Sequence, residues 1–301
     1  MGVTGTPEVE PALDFAFAEA LRRRLPLCVV HTYTPPSYGE IPPALFPGHL
    51  RALRESATRE ATTALDRALD RVIGGRTLDT RVAVVEGDAP STLASMAESA
   101  ALLVIGTRGG GPISRTTHRS VAASCLHRCV APVAVIPHDA GLIADRWLRS
   151  RVVVGLDGSP ASVAALAWAV AQAREWGSVL MPVVVSSLKD RPPAGFRQQV
   201  GNGSRSDLTA QVWRQIVDAG GSDVEVHPRF LIGDPKQELL TVVGAADLLV
   251  LGSRGLGPVA SVLLGATTSP VALRSPCPVV AVREGQSRRE IHQRRAQPQL
   301  Q

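Results

Sequence analysis

Three glycines and two threonines in the second half of this sequence have the types and spacing to hold an anion. The apolar run Leu248-Leu249-Val250-Leu251 stops at Gly252, within Gly252-Ser253-Arg254-Gly255, and Gly265 follows with Ala266-Thr267-Thr268. Glycines where a loop leaves a strand let peptide N–H groups approach a ligand closely. The segment Thr267 to Arg274 reads as a helix whose positive end faces the same point, which suits a phosphate. A carboxylate joins this set at the end of another apolar run, in Gly155-Leu156-Asp157-Gly158-Ser159-Pro160. Asp157 has two readings, a ligand contact or a cap on the helix that follows. Arg254, and Arg108 earlier in the chain, either face phosphate or are solvated loop residues.

The pattern occurs twice. Ala101-Leu102-Leu103-Val104-Ile105-Gly106-Thr107-Arg108-Gly109 matches the stretch at Gly252 in character, and Ala131-Pro132-Val133-Ala134-Val135 matches Cys277-Pro278-Val279-Val280-Ala281. Gly2-Val3-Thr4-Gly5-Thr6-Pro7 aligns with Gly155 to Pro160, at an offset of 153 residues that falls to 146 at the glycine loop. The chain is a tandem duplication. The first copy departs from the second where chemistry is at stake, since Thr4 stands at the place of Asp157 and Arg119 at that of Gly265. An arginine there fills the space of a phosphate, although its charge could attract one.

These residues need elements to position them, and the periodicity supplies alternating strands and helices. In the first copy only Met1-Gly2-Val3 remains of the first strand; either the start lies upstream, which is the favoured reading, or the domain works with a stub. Helix 8–24, with Thr6 as cap and Pro7 at its first position, leads to strands 26–32, 82–85, 102–105 and 133–136, separated by helices 49–74, 91–100 and 120–129. The second copy repeats the order, with strands 151–156, 179–185, 224–230, 248–251 and 279–282 and helices 161–176, 207–219, 236–244 and 267–274. The interval between Val185 and about Ser206 reads as loop. Strand–helix alternation requires parallel sheets covered on both faces. The expected fold is therefore α/β, two tandem doubly wound five-stranded parallel-sheet domains of Rossmann-like type. Their bounds are 1–138 and 151–284, with a linker at 139–150 and a disordered basic tail at 285–301.

Composition narrows the function. At 301 residues, 45% hydrophobic and 20% charged, the chain can bury two cores, and no apolar run reaches the ~18 residues of a membrane span. No leader is evident, so a cytoplasmic location is expected. A net charge of +5 raises nucleic acid as a partner, but several basic residues, among them Arg288, Arg289, Arg294 and Arg295, lie in the tail, and aromatics are only 4%, too few for a stacking platform. The four cysteines, Cys28, Cys125, Cys129 and Cys277, fall at core-like positions; Cys125 and Cys129 share a helix face, yet lack a second ligand pair for a metal. Phe15 and Trp168 match as core residues on equivalent helices, and no Ser-His-Asp, Cys-His or paired-carboxylate arrangement recurs in both halves.

The element order, the motif Gly252-x2-Gly255-x9-Gly265 with Ala266-Thr267-Thr268, the turn Gly233-Asp234-Pro235 and Pro276-Cys277-Pro278-Val279 together resemble the universal stress protein family over nearly the whole chain. The resemblance implies an adenine nucleotide alpha hydrolase-like fold and an ATP site in the second domain. It puts Gly155 and Asp157 at the adenosine end and Val185 against the base. Leu251, Gly252, Arg254 and Gly255 would line the ribose and phosphate side, and Gly265, Ala266, Thr267 and Thr268 the phosphates. Mg²⁺ would accompany the triphosphate. Ala266 departs from the serine or threonine usual there, which removes a phosphate hydrogen bond worth about 1 to 3 kcal/mol. The resemblance also implies that the two domains pair internally, with a homodimer as a further form. The expected activity is that of an adenine-nucleotide-dependent stress regulator rather than an enzyme. A slow ATPase and a scaffold without nucleotide are the alternatives.

Overall fold

A computed structural model describes residues 1–3, 9–35, 47–72, 77–107, 121–140, 151–187, 192–200, 204–244, 247–253 and 266–285. The chain folds as two compact units. The first contains β1 (Gly2–Val3), α1 (Glu10–Arg23), β2 (Leu27–Tyr33), α2 (Pro47–Arg71), β3 (Thr80–Glu86), α3 (Ala89–Met96), β4 (Leu103–Gly106), α4 (Val121–Arg128) and β5 (Val133–Ile136). The second contains β6 (Val152–Leu156), α5 (Pro160–Trp176), β7 (Leu180–Ser186), α6 (Ala194–Val200), α7 (Arg205–Asp218), β8 (Arg229–Ile232), α8 (Pro235–Val242), β9 (Leu248–Gly252), α9 (Thr268–Ala272) and β10 (Val279–Val282).

Strand order is β3-β2-β1-β4-β5 in one unit and β8-β7-β6-β9-β10 in the other. The pairs β6·β7, β6·β9, β7·β8 and β9·β10 are all parallel, so the second unit is doubly wound, with its winding reversing between β6 and β9. The two-residue β1 fills the same central place in the first unit, Gly2 pairing with Val30 on one side and Ile105 on the other. Strands β9 and β10 are buried along nearly their whole length, as sheets covered by helices on both faces require. Trp168 and Phe15 are fully buried on α5 and α1, the core roles their matching positions predict.

Several local expectations are corrected. Helix α1 starts at Glu10 with Val9 as its N-cap and no side-chain cap; Pro11 takes the first-turn position that tolerates a missing N–H. Thr6 and Pro7 lie outside the described residues. Strand β8 starts at Arg229, and upstream of it only the bridge Leu180↔Val226 pairs. Cys28 is exposed, because strand alternation turns Leu27 and Val29 inward and the residue between them out. Cys125, Cys129 and Cys277 are buried. The interval read as loop after β7 contains α6, and the helix expected over 267–274 shortens to the five residues of α9. No helix among the described residues is long and apolar enough to cross a membrane.

Candidate functional site

Asp157 follows β6 and Gly252 ends β9, so both stand at the carboxyl ends of the strands between which the winding reverses, where open α/β sheets bind ligands. Asp157 is half-buried. Its Oδ1 accepts the Ser159 N–H at 2.9 Å, which orders the turn. The helix cap itself is Ser159, whose hydroxyl accepts the Ser162 N–H at 3.2 Å. Asp157 therefore shapes the turn before the cap and is not the cap. Proline at the start of α5 suits a position where no helical N–H partner exists.

Gly252 is bare for a steric reason. A Cβ there would lie 2.8 Å from the Ala161 carbonyl carbon and 2.8 Å from the Ser162 nitrogen, so the end of β9 runs directly against the first turn of α5. Thr268 Oγ1 donates to the Gly252 carbonyl at 2.6 Å, tying α9 to the same strand end. The structure thus brings Asp157, Gly252 and Thr268 together around the first turn of α5. Gly155 serves packing: its Cβ would meet Leu251 Cδ2 at 2.7 Å, with Leu239 alongside. Leu251 and Val185 are buried at 4% and 8% exposure. Thr267 is the half-buried N-cap of α9 without a side-chain cap bond, and Ala266 is exposed. Arg254, Gly255 and Gly265 lie outside the described residues.

Two features escaped the sequence reading. Ser253 is 2% exposed, donates its N–H to the Val282 carbonyl at 2.7 Å, and carries a hydroxyl with no hydrogen-bond partner among the described residues. A buried hydroxyl without a partner costs free energy unless something supplies one. Helix α6 lies against the Asp157-Gly158 turn, and its Phe196 is fully buried. Ser253 was legible only as one letter inside the glycine motif, and α6 carries no periodic signal.

The equivalent place in the first unit is built differently. Thr107 stands where Ser253 does and likewise donates its N–H across to β5, to Ile136 at 2.8 Å, but its hydroxyl accepts the His138 N–H at 3.2 Å. Thr4, Arg108, Gly109 and Arg119 lie outside the described residues. The buried thiols are chemically quiet: burial pushes Cys277 up to about 12, and Cys125 is raised by its hydrogen bond with Cys129 and then by burial. Among the described residues no group of three or more His, Cys, Asp or Glu is placed to hold a metal ion.

A family model described as the universal stress protein family matches residues 1–137 and again 149–283. The chain belongs to the universal stress protein family, as a tandem pair. Universal stress protein Rv2005c of Mycobacterium tuberculosis is 29% identical over 290 residues, covering 94% of this chain and 96% of its own. A universal stress protein of Mycolicibacterium smegmatis is 29% identical over 291 residues, with 94% and 96% covered. Among solved structures, a universal stress protein from Archaeoglobus fulgidus superposes with a TM-score of 0.68 at 21% identity, covering 95% of each chain. A putative universal stress protein from Pseudomonas aeruginosa gives 0.56 at 11% identity over 95% of this chain and 92% of that one. The matches cover 92% to 96% of these relatives' own lengths, and the α/β fold read from the sequence is the fold of the family.

Proposed function

We propose that the second unit binds ATP or a related adenine nucleotide at the carboxyl ends of β6 and β9, and that the protein acts as a nucleotide-dependent regulator in a stress response. The observation that carries this reading is the buried Ser253 hydroxyl, without a partner among the described residues, beside a strand end stripped to Gly252. A nucleotide oxygen would give that hydroxyl a partner. Asp157, half-buried in the turn before α5, would meet the nucleoside, and the backbone at Gly252 with the Thr267 hydroxyl would meet the ribose and phosphates. Mg²⁺ would neutralise part of the triphosphate charge when it accompanies the nucleotide.

Regulation fits this site better than hydrolysis. A general base must reach the attacking water, and in this reading Asp157 faces the nucleoside, with its Oδ1 holding the Ser159 N–H. Isothermal titration of ATP into the protein and into Asp157→Ala and Gly252→Val variants tests the proposal. Heat in the parent that is lost in both variants is the expected result. Absence of heat in the parent supports a scaffold without nucleotide, and phosphate release on incubation supports an ATPase.

A further inference from the structure

Helix α6 stands by contact rather than by propensity. It is seven residues long and has glycine at its second position, which lowers helix stability by about 1 kcal/mol relative to alanine. That glycine is the contact. A Cβ on Gly195 would lie 2.4 Å from the Gly158 carbonyl carbon and 2.6 Å from the Asp157 carbonyl oxygen. In return, a Cβ on Gly158, whose φ is +80°, would lie 2.4 Å from the Phe196 nitrogen. Two bare stretches of backbone therefore touch, and one of them is the turn that carries Asp157.

Gln199 fastens the contact. Its Nε2 donates to the Gly158 carbonyl at 3.4 Å, while its Oε1 accepts from Gln211 Nε2 at 2.6 Å and Gln215 Nε2 at 3.2 Å, both on α7. Gln215 is itself buried at 6% exposure, so the bridge is anchored in the core of the unit. The Asp157-Gly158 turn is thus held from within by the Ser159 N–H on Asp157 Oδ1 and from outside by Gly195 and Gln199.

From this we infer that α6 is the nucleoside-side wall of the site, with Gln199 a positioning residue that sets the Asp157 carboxylate for the base and ribose. The inference rests on the nucleotide reading above and adds where selectivity for the nucleoside end resides. In that reading the phosphate side falls to the Gly252 backbone, Ser253 and Thr267, and Gln199, whose bonds run to Gly158, Gln211 and Gln215, holds none of these. Loosening α6 therefore weakens binding of the nucleoside part and leaves the phosphate part as it was.

The test is titration of ATP and of inorganic tripolyphosphate into the full chain and into Gln199→Ala and Gln199→Glu variants. Gln199 is exposed, so both variants are expected to fold. The glutamate variant can still accept from Gln211 and Gln215 but cannot donate to Gly158, which separates positioning of the turn from simple α6–α7 packing. ATP affinity should fall about fivefold in both variants, the size of one lost hydrogen bond, with tripolyphosphate affinity unchanged. Wild-type ATP affinity in Gln199→Glu, or a parallel loss for both ligands, overturns the inference while leaving the nucleotide reading standing. The second outcome also covers a bare charge effect, which would weaken the more anionic tripolyphosphate at least as much. A parent chain that binds neither ligand removes the nucleotide reading and this inference with it.

Discussion

The two units share one strand order and commit their polar groups in different places. In the first, Asp14 on α1 is only 2% exposed and is held by Arg71 of α2, Nη2 to Oδ1 at 2.9 Å, while Glu10 in the first turn of α1 meets the same guanidinium at 3.4 Å. Burial still raises the Asp14 carboxyl above its ordinary range, outweighing the arginine. In the second unit alanine stands at the position matching Asp14, α5 has no acid in its first turn, and the charged pairs lie elsewhere. Arg151 and Asp247 join in two hydrogen bonds, 3.0 and 2.6 Å, at the amino ends of β6 and β9, far along the strands from Asp157 and Gly252. The Thr107 hydroxyl accepts the His138 N–H while that of Ser253 has no partner among the described residues. At the strand ends the contrast comes down to one hydroxyl, which in the first copy takes up an internal N–H and in the second has no partner among the described residues.

The largest expected effect comes from breaking the internal pairing of the first unit. Arg71→Ala leaves a buried carboxylate without its cation, a loss of about 3 to 5 kcal/mol that protonation of Asp14 can reduce. Because the folded Asp14 pKa lies above the unfolded value of about 3.9, the carboxyl favours folding most below that value, and this contribution is lost as pH rises through the folded pKa. Denaturant unfolding should therefore show a larger deficit at pH 7.5 than at pH 5. Arg174→Ala in the second unit, which removes an exposed pair with Asp223, should cost no more than about 1 kcal/mol. Equal costs would break the contrast. Next comes Gly252→Ala, whose new Cβ meets the α5 backbone at 2.8 Å and should cost about 1 to 3 kcal/mol and remove the ATP titration heat. Gly106→Ala should leave that heat untouched; its loss would move the pocket to the first unit.

What the sequence could reveal was set by periodicity and repetition. Strands β5 and β10 lie where the apolar runs end at both borders, since a run buried on both faces has no other stable place. The strand-end glycines were legible because they recur. Helix α6 was not, because Ala194-Gly195-Phe196-Arg197-Gln198-Gln199-Val200 has no amphipathic repeat and depends on a backbone contact with Gly158 that only the folded chain provides. Helix α9 falls short of 267–274, ending at Ala272 with Leu273 as its C-cap, so the helix dipole expected to face a phosphate is correspondingly small. The resemblance implies a place for Gly155 beside the nucleotide, and the structure adds a packing reason for its missing side chain, the approach of Leu251 and Leu239. The apolar neighbours of Cys28 suggest a core-like position, and the two-residue period of the strand turns it out.

Ser253 and Thr107 sharpen the contrast at the level of one hydroxyl. Ser253→Ala removes a buried group with no partner among the described residues, so stability should stay level or rise slightly, while ATP affinity falls about fivefold if the hydroxyl meets the nucleotide. Thr107→Val removes an acceptor that the His138 N–H uses, so it should cost about 1 kcal/mol and leave ATP binding alone. Paired thermal melts and titrations check both. A Ser253→Ala variant that binds ATP as the parent does would remove the observation on which the nucleotide reading stands.

The smallest effect concerns how α7, which carries the partners of Gln199, is begun. Ser204 and Asp207 form a capping box: the Asp207 carboxylate accepts the Ser204 N–H at 2.7 Å and its hydroxyl at 2.8 Å, and Ser204 Oγ in turn accepts the Asp207 N–H at 3.4 Å. These hydrogen bonds hold the Asp207 carboxyl below its ordinary range. Since the folded pKa lies below the unfolded value of about 3.9, the stabilisation is fully present above that value and is lost as pH falls through the folded one. The long helix of the first unit, α2, has no acid in its first turn, so acid has no such group to discharge there. Amide protection at residues 205–209, taken relative to the intrinsic exchange rate at each pH, should therefore fall below about pH 4 while the first turn of α2 is unaffected by this route. Ser204→Ala should return the Asp207 titration toward the ordinary carboxylate range, and an unchanged titration in that variant would show that the box is not what holds the charge.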